Sequence, residues 1–376
     1  MPTMTAAVLH GREDLRVEQV PVPEPGPGEV LLEVRAVGVC GTDAAEYHTG
    51  PTMFPVHRRH PATGHLGPMV IGHEFAGDVV ETGPDVDQAW AGRLVASCGA
   101  ITCGDCRQCR AGRTNMCASY AAVGLHRHGA AARYVATPVG NCEPADELGL
   151  PPDAAALAQP MSIAVHAARR GRVTEGERVV LLGAGGIGAF LSYVLAELGC
   201  HTAVADPDEA RRELAGQLGA AVTAHQDDVD GIIDALGGQP DVIFEASGTA
   251  SGLDAACDML PPGGRLVVVG LQHHPVTIDL RSSTLREHEI IGTNAMVRNP
   301  DFTDAVRLVA SREQGWHDVA PVALGLDQLV SDGLVPMAAG RSPAVKVLVD
   351  PQTAWPRRTR TRPESDPAVR PPSTSS

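Results

Sequence analysis

Three groups of residues in this 376-residue chain have side chains and spacings that could do chemistry. The first is Val39-Cys40-Gly41-Thr42-Asp43, followed 33 residues after Cys40 by His73 in Gly72-His73-Glu74. A thiolate and an imidazole suit zinc. Thr42, Asp43 and Glu74 would give such an ion hydroxyl and carboxylate neighbours. Taken without the rest of the chain, the pair reads as a buried thiol and a satisfied core histidine. The second group is Cys103-Gly104-Asp105-Cys106-Arg107-Gln108-Cys109 with Cys117, a C-x2-C-x2-C-x7-C pattern. Four thiolates on one short loop fit a closed, tetrahedral structural zinc site, and ligation would order a loop with little core of its own. An iron–sulfur cluster is the rival, but its last cysteine usually falls sooner and beside a proline, which Cys117 lacks. Cys98, just outside the set, reads as a core residue.

The third group is Gly183-Ala184-Gly185-Gly186-Ile187-Gly188. An apolar strand, Val179 to Leu182, precedes it. Phe190, Leu191, Val194, Leu195 and Leu198 follow at helical spacing, and a second strand, Thr202 to Ala205, ends at Asp206, 18 residues after Gly188. This strand–GxGxxG–helix–strand–acid order is that of a dinucleotide-binding βαβ unit. Gly183 permits the tight turn, Gly185 admits a pyrophosphate to the helix N-terminus, and Gly188 lets helix and strand pack closely. Asp206 stands where a carboxylate binds both ribose hydroxyls and repels a 2′-phosphate, which favours NAD over NADP. Arg211 and Arg212 nearby would soften that preference. The uncharged stretch Val179 to Ala196 is too glycine-rich, and too closely flanked by Glu177, Arg178 and Glu197, for a membrane span.

The elements that must position these groups follow from pattern. Residues 1–38 alternate in the β manner and are punctuated by the proline-rich turn Pro21 to Gly28, so a β-rich domain is expected at the start. Beyond Asp206, the helix Glu209 to Leu218, the strand Val242 to Glu245, the helix Leu253 to Leu260 and the strand Leu266 to Gly270 keep an α/β rhythm, which predicts a doubly wound parallel sheet. Leu285 to Thr293 would close that sheet. His126 and His128 read as surface residues of a polar loop, and His166 as a packing residue. Residues 351–376 hold six prolines, five arginines and few apolar residues, a composition that predicts a disordered tail. Length allows two domains with full cores. The net charge of −15 argues against nucleic-acid and anionic-membrane partners. The start of the chain shows no secretory pattern, so a cytoplasmic setting with reduced thiols is expected. Lys346 is the sole lysine beside 29 arginines, a skew that reads as coding bias.

Together, CGTD, GHE, the four-cysteine lobe, HAARR at His166 to Arg170, GAGGIG and the closing VKVLVD resemble the zinc-dependent medium-chain dehydrogenases of the alcohol and polyol dehydrogenase superfamily, over about residues 4–350. The spacer between Glu46 and Phe75 is similar to that of the butanediol dehydrogenase branch. The resemblance implies a GroES-like catalytic domain over 1–158, a Rossmann domain over 159–293, a return to the catalytic domain over 294–350, two zinc ions per chain, NAD, and a homodimer or homotetramer. It implies that Cys40 and His73 bind catalytic zinc, that Asp43 holds the imidazole, and that Thr42 accepts the substrate hydroxyl's hydrogen bond. Ser247, Gly270 and Leu271 would lie near the nicotinamide. Two positions depart from the branch. Ala45 replaces a histidine, so the proton relay would run through His48 or through ribose and water. Gln159 replaces a glutamate that approaches zinc, so Glu74 would serve as the third ligand, with Gln159 near or on the open position. The expected activity is interconversion of a secondary alcohol or vicinal diol and its ketone. A polyol, amino-alcohol or cyclitol dehydrogenase, or a low-turnover binding homologue, is the alternative.

Overall fold

The computed structural model describes residues 2–272 and 274–362. Its centre is a six-stranded, wholly parallel sheet. The strands run in the order Val222–Ala224, His201–Ala205, Arg178–Leu182, Val242–Glu245, Arg265–Val268, Glu289–Gly292. The connections reverse direction at Arg178–Leu182, which places a crevice at the carboxyl ends of this strand and of Val242–Glu245. Val179 to Leu182 and Val242 to Phe244 are buried on both faces, as continuous apolar runs in parallel sheets must be.

The rest of the described chain forms antiparallel layers. Strands Glu29–Gly38 and Glu74–Thr82 pair along their length, flanked by Leu94–Ser97, Cys142–Pro144 and Tyr134–Pro138. Thr3–Gly11 pairs with Asp14–Pro21 and with Met69–Val70 in a second sheet. The chain then returns: Leu348–Val349 joins Glu29–Gly38, and Val322–Leu324 lies beside it. The helix Ala158–Arg170 bridges the two halves. Its buried alanines and Met161 share one core with the helix Gly186–Glu197 and with Trp316, which packs on Phe190 and Tyr193.

The expectation of disorder from residue 351 is corrected for 351–362. Arg357–Arg358 adds an antiparallel strand to Val322–Leu324. Arg357 grips the buried Asp153 through both guanidinium nitrogens at 2.7 and 2.8 Å and reaches Asp350 at 2.7 Å, while Thr359 and Thr361 are buried. A segment poor in apolar residues thus docks by ion pairs and main-chain pairing. Residues 363–376 of that expected tail lie outside the described residues.

Candidate active site and metal centres

Cys40 lies just beyond the strand Glu29–Gly38 and caps the helix Gly41–His48. Its main-chain N–H donates to Asp43 Oδ2 at 3.0 Å, which ties Asp43 under the helix start. Thr42 Oγ1 lies 3.7 Å from Cys40 Sγ. His73 and Glu74 open the strand Glu74–Thr82, and Asp43 Oδ1 stands 3.4 Å from His73 Nδ1. Ligand atoms of Cys40, His73 and Glu74 all lie within 4.8 Å of one another. Glu74 is held on its far side by Lys346, whose Nζ is 2.6 and 2.8 Å from its two oxygens and also donates to the Val39 carbonyl at 3.2 Å. Gly38 is obligatory beside this carboxylate, because a Cβ there would collide with Glu74.

The electrostatics favour a cation. Burial opposes charge on both His73 and Lys346, yet both are held above their ordinary values, His73 by Asp43 and Cys40, Lys346 by Glu74 and Cys40. Asp43 Oδ1 and His73 Nδ1 are buried and not aligned for a hydrogen bond to each other. A thiol, an imidazole and a carboxylate converging in a buried, net-negative setting fit zinc by donor chemistry.

The four-cysteine lobe is built differently. Short strands Ala100–Ile101 and Ala121–Ala122 close its base, and the four sulfurs lie within 4.8 Å of one another. The Cys103 N–H points at Cys117 Sγ at 3.4 Å, and the Cys106 N–H at Cys103 Sγ at 3.4 Å. Main-chain N–H groups of Ala118 and Cys109 bring Cys106 down to about 6, while Asp105 pushes Cys103 up to about 12. Four sulfurs gathered without a disulfide, with amides aimed at them, fit a bound dication. Asn115 attaches the lobe to the other half: its amide donates to the Asn294 carbonyl at 2.8 Å and meets His166 Nε2 at 3.2 Å, and His166 Nδ1 lies 2.7 Å from Asp301.

The glycine loop sits at the carboxyl end of Arg178–Leu182. Gly183 has φ +97°, and a Cβ on it would stand 2.8 Å from the Ser247 N–H nitrogen; one on Gly188 would strike the Gly183 carbonyl. Gly185 and Gly186 are open by contrast, with nothing nearer than 3.9 Å. For Gly185 that neighbour is an Arg211 guanidinium nitrogen. An open loop at the N-terminus of the twelve-residue helix Gly186–Glu197, with a guanidinium beside it, fits a pyrophosphate. Asp206 directly follows the strand His201–Ala205 and is buried. Its oxygens accept the Ala184 N–H at 2.8 Å and the Asp208 N–H at 2.9 Å, and Arg211 stands 4.0 Å away. Gly270 abuts Gly248, Ser247 precedes Gly248 in the turn after Val242–Glu245, Ile187 is half-buried, and Leu271 is exposed.

One expected placement does not form. His48, the last residue of its helix, is half exposed and pairs with Glu13 at 3.1 Å, so it is not brought to Cys40 and His73. Its six-residue offset from Thr42 turns it to another face of the helix. Gln159 lies buried in the first turn of Ala158–Arg170, and its amide makes no hydrogen bond among the described residues. His126 is half-buried, not a surface residue: its Nδ1 accepts the Ala122 N–H at 3.0 Å and its ring stacks on His60 at 4.5 Å. Lys346 went unrecognised as a partner of Glu74. The available signal was a single lysine retained in a chain whose other cations are arginines.

Residues 26–147 match the alcohol dehydrogenase GroES-like domain and residues 186–311 the zinc-binding dehydrogenase domain. The chain is 34% identical over 279 residues to L-threonine 3-dehydrogenase of Aeromonas hydrophila, covering 72% of this chain and 78% of that one. It is 29% identical over 355 residues to (R,R)-butanediol dehydrogenase of Neisseria gonorrhoeae, covering 93% and 99%. Among solved structures, a zinc-binding dehydrogenase from Sinorhizobium meliloti 1021 bound to NADP superposes with a TM-score of 0.81 at 29% identity, over 93% of this chain and all of that one. The chain belongs to the zinc-dependent medium-chain alcohol dehydrogenases, a family of oxidoreductases, and has their GroES-like and Rossmann folds.

Proposed function

We propose that this protein is an NAD(H)-linked, zinc-dependent dehydrogenase that interconverts a secondary alcohol or vicinal diol and its ketone. One observation carries the reading. The Val345 carbonyl lies 3.9 Å from the Cβ position of Gly186 in the glycine loop, and the next residue, Lys346, holds Glu74. The segment Val345-Lys346 thus touches the glycine loop with one residue and the three-donor cluster with the next. The near end-to-end similarity to a butanediol dehydrogenase supports the diol class.

Cys40, His73 and Glu74 would hold the catalytic zinc, with Gln159 near it or on its open position, and Cys103, Cys106, Cys109 and Cys117 would hold the second. When bound, catalytic zinc supplies Lewis acidity to the substrate hydroxyl and the nicotinamide supplies the hydride acceptor. Thr42 accepts the hydroxyl's hydrogen bond, and Asp43 orients the His73 ring. With His48 engaged by Glu13, the proton leaves Thr42 through water. Gly183, Gly185, Gly186, Ile187 and Gly188 would cradle the pyrophosphate with Arg211 beside it, and Asp206, held by the Ala184 and Asp208 amides, would be the carboxylate for the ribose. Ser247, Gly270 and Leu271 line the nicotinamide end. The edge strand Glu289–Gly292, beside exposed Leu280 and Leu285, supports pairing with a second copy. Among the described residues no helix is long and apolar enough to cross a membrane.

The test is zinc per chain, paired with NAD reduction over a panel of diols, polyols and amino alcohols. Two zincs falling to one in Cys40→Ser, with turnover reduced roughly a thousandfold or more, about 4 kcal/mol of barrier, is the expected result. One zinc, unchanged by the substitution, rejects the catalytic assignment.

A further inference from the structure

Glu245 is the last residue of Val242–Glu245 and pairs in register with Leu182, one residue before the glycine loop. It is fully buried. Every group that meets its oxygens is a neutral donor. The Ser247 N–H donates to Oε1 at 2.8 Å, the Gly248 N–H at 3.0 Å, and the Ser247 hydroxyl donates to the same oxygen. The Gln272 amide donates to Oε2 at 3.2 Å. Four donors converge on its oxygens, no acceptor meets either one, and no cation among the described residues pairs with it. Glycines make room for it: a Cβ on Gly270 would lie 2.9 Å from Oε2, and one on Gly252 3.0 Å from Oε1. The carboxylate thus sits where the turns 246–249 and 270–272 meet, at the carboxyl end of a strand flanking the point where strand order reverses, which is where α/β sheets bind their ligands.

Burial of a carboxylate without a cation is costly, and neutral residues could hold two turns together at less expense. A retained charge here acts on whatever occupies the crevice. Resting on the nicotinamide-dinucleotide reading above, we propose that Glu245 is a specificity-determining residue for redox state: its uncancelled negative charge favours the oxidised, cationic nicotinamide over the neutral reduced one. The crevice then captures oxidised cofactor and releases reduced cofactor, which suits an enzyme working in the direction of alcohol oxidation. A unit charge acting over roughly 10 Å at an effective dielectric of about 20 changes a ratio of binding constants on the order of tenfold.

The test is the ratio of dissociation constants for NAD+ and NADH, measured by calorimetric titration of the full-length, zinc-loaded protein. Glu245→Gln keeps the shape and removes the charge, and should weaken NAD+ about tenfold relative to NADH. Gln272→Lys leaves Glu245 in place and sets a cation against it; it should move the ratio the same way, and it carries the test if Glu245→Gln does not fold. Equal changes in both constants, or an unchanged ratio in both variants, would make Glu245 a structural brace and overturn the inference. Failure of the unaltered protein to bind either form would reject the dinucleotide reading, and this inference with it.

Discussion

The two metal-capable sites are opposites in construction. The four sulfurs come from fifteen consecutive residues, running from exposed Cys103 to buried Cys117, with main-chain amides as their principal support. The Cys40–His73–Glu74 cluster draws on a helix cap, a strand start and the returning segment at Lys346, and His73, Glu74 and Lys346 are all buried. A local site needs only its ion to become ordered. A site assembled from distant segments is ordered by the fold, so its unmetallated charges must be balanced by protein groups. Lys346 does this for Glu74, and Asp43 does it for His73.

That contrast can be broken most forcefully at Lys346. Lys346→Met leaves Glu74 buried and unpaired, and should cost about 3–5 kcal/mol of stability, measured by urea denaturation in the presence of a chelator. Lys346→Met,Glu74→Gln should recover most of the loss. No recovery would mean the lysine acts through packing alone.

A smaller effect is expected at the lobe. Cys117→Ser should remove one zinc per chain and expose 103–117 to limited proteolysis. The global unfolding free energy should fall by no more than about 1–2 kcal/mol, since Asn115 is the lobe's main buried polar attachment. A loss as large as that at Lys346 would erase the distinction between local and assembled sites.

The smallest effect concerns the turn packed behind His73. Burial, helped by the nearby His60, holds His126 down to about 4. The unfolded chain, with an ordinary histidine value near 6.5, binds the proton first, so stability falls as pH drops from about 6.5 towards 4. The slope cannot exceed one proton's worth, about 1.4 kcal/mol per pH unit, and is shallower because the ring is only half-buried. His126→Gln should flatten it in denaturation midpoints taken at pH 7 and pH 5. An unchanged slope would locate the sensitivity elsewhere.

Legibility follows the same local–assembled divide. The glycine loop could be read because its strand, turn, helix and acid are consecutive, and backbone sterics alone demand glycine at Gly183. Asp206 was placed by its spacing, but its capture by two main-chain amides could not be read, since Ala184 and Asp208 reach it only when the loop folds back. That the strands form a parallel sheet was implied by α/β alternation, whereas their order was not. The docking of 351–362 was missed because composition counts apolar residues, whereas Arg357 binds through geometry to an aspartate some two hundred residues earlier.

By itself, the sequence determined which donors exist and which of them must be neighbours: four cysteines within one loop, a glycine turn between strand and helix, and an acid at the next strand's end. Short chain separations leave little freedom, so spacing is already geometry. The tertiary structure alone decided which distant groups meet. It set Lys346 on Glu74, turned His48 to Glu13, buried Gln159, and closed neutral donors around Glu245. Those outcomes depend on sheet register and helix facing over separations where spacing constrains nothing. There, buried charge and packing select the partners.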